Sequence, residues 1–173
     1  MDESNKIVSS SLKSGIVLGI TLMLFTAIIY ISDIHLFSIS SGIVMLVVVF
    51  GGEIAFSIFS AKKLRTEFGG KITFVQVIIN IFILLFIASL INAIFTYVLY
   101  NFIDVDYLSM QVEYFAEDMS TMISENQMEE TLATLDEKVL EMKSLGGLLM
   151  KSWIGPLVMS LILSLFIKKD INE

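Results

Sequence analysis

The sequence predicts an all-α integral membrane protein with four transmembrane helices and an acidic, amphipathic helical hairpin outside the membrane, between the third and fourth helices. The composition is 55% apolar over 173 residues, with a mean hydropathy of +0.83, which is too apolar for a water-soluble domain. Four long runs carry almost no formal charge. Of the 18 acidic residues, 11 fall between residues 104 and 143. We therefore treat residues 1–173 as a single membrane domain.

The first apolar run covers residues 15–31 and follows a short polar tail. A cleaved signal peptide is the alternative, because two lysines precede the run, but no small-x-small cleavage site follows it. Gly15 and Gly19 form a small-xxx-small pair, which lets another helix approach closely. We therefore predict an uncleaved span whose glycine pair is a candidate packing site for another helix, including one in a dimer.

The second run, residues 36–59, is rich in small residues, as helices buried in bundles often are. A basic loop follows, in which Gly69 and Gly70 break the helix. The third run, residues 72–103, has no formal charge and would reach roughly 48 Å as a helix, against a hydrocarbon core of about 30 Å. We expect this third span to tilt or to project into water.

The acidic segment, residues 104–146, contains apolar residues at steps of three and four, which predicts two amphipathic helices. The two sets are Leu108, Val112, Phe115, Met119 and Met122, and then Met128, Leu132, Leu135, Val139 and Met142. Ser124 and Gln127 fit a capping box that begins the second helix, and Gly146 with Gly147 suits its end. We expect the apolar seams to face each other, the outer ends of the spans, or a partner.

The fourth span covers residues 148–167, and Pro156 in its first turns should kink it or begin its regular part. The orientation follows from the basic residues. Eight lie in the N-terminal tail, the second loop and the C-terminus, against three in the other two loops. This distribution predicts that both termini are cytoplasmic and that the acidic segment lies outside.

A longer pattern surrounds the third span. A glycine-rich basic loop and an I-[ST]-F start lead into the span, which ends in a Tyr-Tyr-Asn-type stretch and I-D-x-[DE]-[YF]-L. The matching residues are Ile72, Thr73, Phe74, Tyr97, Tyr100, Asn101, Ile103, Asp104, Asp106, Tyr107 and Leu108. This pattern resembles the small bacterial membrane proteins grouped as domain of unknown function 4199, although Val105 stands where that family often has proline. The resemblance implies a four-span protein of the inner (cytoplasmic) membrane and implies no activity.

Glu53 is the one charge well inside a predicted span, and a carboxylate in lipid is energetically costly. It lies about six residues from the cytoplasmic end of its span, and Ser57 follows one turn later. Gln76 and Asn80, one turn apart, enter the third span from the same side. We therefore predict an intramembrane polar cluster of these four residues. It either makes structural hydrogen bonds between helices or binds a proton or cation.

A second polar patch, formed by Ser89, Asn92 and Thr96, occupies the outer half of the third span. Asn80 and Asn92 are about 120° apart around the helix, so we expect the two patches to face different neighbours. Polar side chains of this kind commonly hydrogen-bond between packed helices. We predict that this patch, like the pair Gly15 and Gly19, serves helix packing.

The sequence lacks the usual patterns of catalysis and of nucleic-acid binding. It has no cysteine, a single histidine at position 35, and no zinc-protease, nucleophile-elbow, Walker A or dinucleotide-binding pattern. Asp104 and Asp106 alone make an incomplete cation site. We predict no enzymatic activity, no cofactor, no metal site and no nucleic-acid partner.

Two classes of function are favoured over a third, an intramembrane enzyme. The first is a non-enzymatic accessory or scaffold subunit that binds another membrane or envelope protein. The alternative is a small transporter or channel subunit that uses Glu53. Both predict a protein embedded in the lipid bilayer that associates with a partner protein or with copies of itself.

Overall fold

The computed structural model describes residues 3–120 and 122–172 and, at residues 39 and 168–172, the backbone alone. The described residues form helices and no strand. The α-helices are α1 (Glu3–Ile31), α2 (Ile39–Glu67), α3 (Phe74–Val98), α4 (Tyr107–Met119), α5 (Glu125–Lys143) and α6 (Leu145–Asn172), and a π-helical turn (Leu99–Ile103) continues α3. The side chains of Lys168 and Lys169, which enter the count of basic residues above, lie outside the described ones.

Four of the described helices are long and apolar enough to cross a membrane, and they are Glu3–Ile31, Ser40–Glu67, Phe74–Ile103 and Leu145–Ile167. This finding confirms, for the described residues, an all-helical fold with four helices that could cross a membrane, as expected of a multi-pass membrane protein. The helices extend beyond the uncharged runs, since α2 ends at Glu67 rather than at Phe59. The reason is that charge marks where a helix leaves lipid, whereas a helix ends at a breaker. Here the breakers are Gly69 and Gly70, whose φ angles are +70° and +96°.

α1 and α3 pack along most of their length. They run parallel, since residues later in α1 contact residues later in α3. A Cβ atom on Gly15 would lie 2.7 Å from the carbonyl oxygen of Leu84, and one on Gly19 would lie 2.8 Å from the Cδ1 of Ile91. Both glycines therefore allow the two backbones to approach closely. The partner of the small-xxx-small pair is α3 of the same chain.

α6 packs mainly on α3. Its buried face repeats a short side chain every four residues and contains Ser152, Pro156, Ser160 and Ser164. Small side chains at this spacing form a smooth stripe that lets helices pack tightly in a bilayer. α3, covered by α1 on one side and α6 on another, is the central helix of the bundle.

Pro156 lies inside α6, which begins at Leu145, so the proline does not begin the regular helix. Proline has no N–H, and the carbonyl of Ser152, four residues earlier, therefore receives no bond from its own helix. The hydroxyl of Ser89 on α3 lies 3.2 Å from this carbonyl and 3.1 Å from the carbonyl of Phe86. A side chain of the neighbouring helix thus satisfies the carbonyl that the proline leaves free.

α2 is packed along only one of its halves. Its C-terminal half buries Ser57, Ser60, Ala61 and Leu64. None of the described side chains between residues 40 and 56 is buried. In its most apolar window only 6% of residues are buried, against 28–33% in the other three spans. The N-terminal half of α2 therefore stands away from α1 and α3.

α4 and α5 cover the end of the bundle where α1 and α3 terminate. Leu108 and Val139 are buried there against Leu99 and Tyr100. Tyr30, Leu36, Phe37, Phe95, Val112 and Met142 pack around them. Leu108 and Val112 of α4, with Val139 and Met142 of α5, thus pack against the ends of the spans, which is one of the three arrangements expected from the sequence.

The junctions of α5 differ from the prediction at one end only. At its start, the side-chain oxygen Oε1 of Gln127 accepts the backbone N–H of Ser124 at 3.2 Å, as in the predicted capping box. At its end, α5 stops at Lys143, so the predicted end at Gly146 and Gly147 is wrong. Both glycines lie in the first turn of α6, where a Cβ on Gly147 would lie 2.8 Å from the Glu141 carbonyl oxygen.

Candidate functional site

A cavity of about 370 Å³ lies among α1, α2, α3 and α6, at the level where α2 separates from the other helices. We call it the main cavity. The surface exposed to the cavity is mainly apolar, although eight of the 14 lining residues have polar side chains, namely Thr26, Glu53, Ser89, Asn92, Thr96, Tyr100, Lys151 and Ser152. A cavity of this size, with polar groups set in a mainly apolar surface, is typical of small-molecule sites.

Glu53 is half-buried on the face of α2 that looks into the main cavity. Residues of α2 on this face recur at steps of three and four, since Met45, Val49, Glu53 and Phe56 are all half-buried. No hydrogen bond or ion pair joins the Glu53 carboxylate to another residue in the described part of the chain. The cavity thus contains a carboxylate that the protein itself leaves unpaired.

The wall opposite Glu53 is held by one hydrogen bond between α1 and α3 and by others within each helix. The hydroxyl of Thr26 on α1 lies 3.1 Å from the amide oxygen of Asn92 on α3 and 3.0 Å from the carbonyl of Leu22. The hydroxyl of Thr96 bonds only within α3, to the carbonyls of residues 92 and 93. These bonds fix the positions of polar groups on the α1 and α3 side of the cavity.

A smaller compartment of about 210 Å³ adjoins the main cavity, with which it shares seven lining residues, Asn92 and Tyr100 among them. Its far wall contains Tyr30 and Tyr107. The rings of Tyr30 and Tyr107 lie 5.0 Å apart at 70°, and those of Tyr100 and Tyr107 lie 5.9 Å apart and nearly parallel. We call these three residues the tyrosine wall.

The π-helical turn positions this wall. Its closing bond runs from the backbone N–H of Asp104 to the carbonyl of Leu99 at 2.9 Å. The extra residue in the turn is the kind of local distortion that often accompanies functional sites. Beyond the turn, the hydroxyl of Tyr30 donates to the Asp104 carboxylate at 3.1 Å, which ties the end of α1 to the end of α3. Asn101 adds a bond from its amide to the carbonyl of Lys143 at 3.1 Å.

Tyr107 is 3% exposed, and its hydroxyl has no hydrogen-bond partner among the described residues. Burial raises the pKa of Tyr107 to about 12, with smaller contributions from the nearby Asp33, Tyr30 and Asp104. Its hydroxyl therefore stays protonated and uncharged throughout the physiological pH range.

Lys151 is the cationic residue among the described lining residues of the main cavity. Its ammonium group lies 2.8 Å from a carboxylate oxygen of Glu141 on α5, and both side chains are more than half exposed. This lysine therefore neutralises a surface carboxylate at the junction of α5 and α6 and does not pair with Glu53.

The structure does not bring together the four residues that were predicted to cluster around Glu53. Gln76 caps α3, because its side chain accepts the backbone N–H of Thr73 at 2.8 Å. The amide of Asn80 donates to the hydroxyl of Ser11 on α1 at 2.7 Å, and Ser57 is buried without a hydrogen-bond partner in the described residues. The physical reason is that α2 continues two turns past the predicted span, which places Glu53 near the middle of its helix.

The second predicted patch lies instead across the cavity from Glu53, since Ser89, Asn92 and Thr96 all line it. Asn80 and Asn92 were expected to face different neighbours, yet both bond to α1, while Ser89 bonds to α6. Thr26, Tyr30 and Ser152 were not identified as site residues from the sequence. For Ser152 alone the sequence contained a signal, because Pro156 leaves the carbonyl of Ser152 without its usual donor.

A family described as a protein of unknown function (DUF4199) matches residues 13–169. No curated protein and no solved structure matches the chain.

Proposed function

Because the chain belongs to the DUF4199 family, whose function is unknown, we propose a function from the cavity itself. The protein binds a small cationic solute at Glu53 and acts as a non-enzymatic transporter or channel subunit. The observation that carries this proposal is the unpaired carboxylate on the wall of a 370 Å³ cavity among the spans. In a low-dielectric site an uncompensated carboxylate binds a cation or a proton, because its own charge is costly there.

The loosely packed half of α2 supports the same proposal. A transported solute needs a path between helices, and a helix that is anchored at one half leaves such a path at the other. Gly51 and Gly52 lie beside Glu53, and a Cβ at either position would meet nothing within 4 Å. The surface of α2 is therefore uncovered at these two positions next to the carboxylate.

The proposed location is the inner membrane of a bacterial cell, with both termini in the cytoplasm. The distribution of basic residues, eight against three, supports this orientation. The acidic segment with α4 and α5 then lies outside, and the tyrosine wall faces the external end of the cavity. A reporter that works only in the cytoplasm should therefore be active when it is fused after residue 173.

The second candidate is the accessory or scaffold subunit expected from the sequence. Its support is the open space beside three glycines of α2, since a Cβ atom added at Gly42, Gly51 or Gly52 would meet nothing within 4 Å. A partner helix or a second copy of the chain therefore has room to pack there. Purification in a mild detergent, followed by measurement of the particle mass, distinguishes the two candidates. A stoichiometric partner protein favours the accessory subunit.

The test of the first candidate uses the full chain in proteoliposomes. Fluxes of sodium, potassium and methylammonium are measured for the natural protein, for Glu53→Gln and for Ser60→Ala. We expect flux of at least one cation that Glu53→Gln abolishes. Ser60→Ala, a polar change at a buried position on the same helix, should preserve that flux. Fluxes that are equal in the natural protein and in Glu53→Gln would contradict the proposal.

A further inference from the structure

The tyrosine wall defines the chemical class of the solute. From its geometry we infer that the cavity binds an organic ammonium ion with an apolar or aromatic body, its cationic head in the connected space between the tyrosine wall and Glu53. This inference rests on the proposed function and extends it from cations in general to one class. Rings around a small compartment favour a large, weakly hydrated cation over a metal ion, which requires several oxygen ligands.

Three tyrosine rings pack together at one end of the smaller compartment. Tyr30 and Tyr107 meet edge-to-face at 70° with their centres 5.0 Å apart. Both rings, together with Tyr100, line the same 210 Å³ compartment. Aromatic rings around a shared space attract quaternary and tertiary ammonium groups through the negative charge on their faces.

Two carboxylates strengthen this attraction. The Tyr30 hydroxyl donates to Asp104 at 3.1 Å, which increases the electron density of the Tyr30 ring. Glu53 lines the adjoining main cavity and is available as the counter-ion of a bound ammonium ion, because Lys151 is paired with Glu141 instead. An ammonium ion in this connected space therefore meets aromatic rings and an unpaired carboxylate.

The apolar lining fits the rest of such a ligand. Phe25, Val49 and Met142 line both compartments. These side chains give the connected space apolar surface on which a hydrocarbon body is favourably buried. A small inorganic cation gains nothing from this surface.

The probe is benzyltrimethylammonium, and its control is neopentylbenzene, which has the same shape without the charge. Binding of both compounds is measured by calorimetry on the detergent-solubilised full chain. We expect the cation to bind and the neutral compound to bind at least tenfold more weakly, because the tyrosine wall recognises charge. Equal binding of the two compounds by the natural protein would overturn the inference without any variant.

Two variants of Tyr107 distinguish the contribution of its aromatic ring to binding from that of its hydroxyl. Tyr107→Phe keeps the aromatic face and loses no hydrogen bond, since the hydroxyl has no partner in the described residues. Tyr107→Leu removes the face and should weaken binding of the cation by about 5- to 30-fold. Tyr97→Leu is the matched control, because Tyr97 is on the same stretch of chain and lines neither compartment. Thermal melting of each variant verifies its fold.

The outcomes distinguish this inference from the function on which it rests. If Tyr107→Leu melts normally and binds the cation as well as Tyr107→Phe does, the tyrosine wall does not recognise the ligand. If benzyltrimethylammonium does not bind while the flux of a small cation still depends on Glu53, the inference fails and the proposed function stands. If neither binding nor flux depends on Glu53, both fail.

Discussion

Replacing Ser89 with alanine should destabilise the bundle only when residue 156 is proline. In the natural chain the Ser89 hydroxyl lies 3.2 Å from the Ser152 carbonyl, which proline deprives of its usual donor. An unsatisfied buried carbonyl costs about 1–3 kcal/mol, and bonds between transmembrane helices contribute at most about 1.7 kcal/mol. We therefore expect Ser89→Ala to lower the free energy of unfolding by about 1–2 kcal/mol.

Pro156→Ala supplies the missing N–H, which then bonds to the Ser152 carbonyl within α6. In that background Ser89→Ala should cost less than about 0.5 kcal/mol, because the carbonyl no longer depends on α3. The assay is reversible unfolding in mixed detergent micelles, followed by circular dichroism. Thr96→Ala is the control, since its hydroxyl bonds only within α3 and its cost should not depend on residue 156. An equal cost of Ser89→Ala in both backgrounds would refute this coupling.

Two other perturbations give directional results. Gly15→Ala places a Cβ atom 2.7 Å from the Leu84 carbonyl oxygen and should lower the melting temperature, whereas Gly155→Ala, with nothing within 4 Å, should leave it unchanged or raise it. The raised pKa of Tyr107, about 12 against 10 in an unfolded chain, means that the folded state binds its proton more tightly. Its contribution to stability is therefore complete below pH 10 and is lost as the pH rises towards 12. Unfolding free energies measured between pH 9 and 12 should fall less steeply for Tyr107→Phe than for the natural chain.

The number of spans was predictable from the sequence because lipid imposes a local requirement. A helix must remain uncharged over about 20 residues to cross the hydrocarbon core, so each span is visible on its own. The ends of the helices were less predictable. α2 continues through Lys62 and Lys63 to Glu67, because a helix tolerates charges in water and stops only at Gly69.

The composition of the candidate site depends on which helices pair, and sequence spacing does not encode that choice. Glu53 was grouped with Gln76 and Asn80 because depth was counted from the end of an apolar run. The actual helix is longer, and Glu53 therefore shares a cavity with Asn92. The bond from Ser89 to Ser152 likewise depends on the register of two helices, between residues that are 63 apart in sequence.

The π-helical turn was also not predictable, although its sequence was conspicuous. The residues from Tyr97 to Leu108 carry the family resemblance, yet no residue type marks a π turn as proline marks a kink. The role of the turn is visible only in the folded structure, where Asp104 accepts a hydrogen bond from Tyr30 on another helix. The motif thus encodes a tertiary contact at the end of the bundle, and the tyrosine wall is its consequence.

The chain has no cysteine, so a single engineered cysteine can report whether Glu53 faces an aqueous, negatively charged cavity in the membrane. Val49→Cys lines the cavity, whereas Val47→Cys on the same helix is 62% exposed on the lipid-facing side. Reaction rates are measured with a cationic and an anionic methanethiosulfonate in native membranes.

We expect Val49→Cys to react, with a preference for the cationic reagent that falls about tenfold or more when Glu53→Gln is added, and Val47→Cys to remain unreactive. A Val49→Cys chain as unreactive as Val47→Cys, or a preference unaffected by Glu53→Gln, would contradict the proposed cation site.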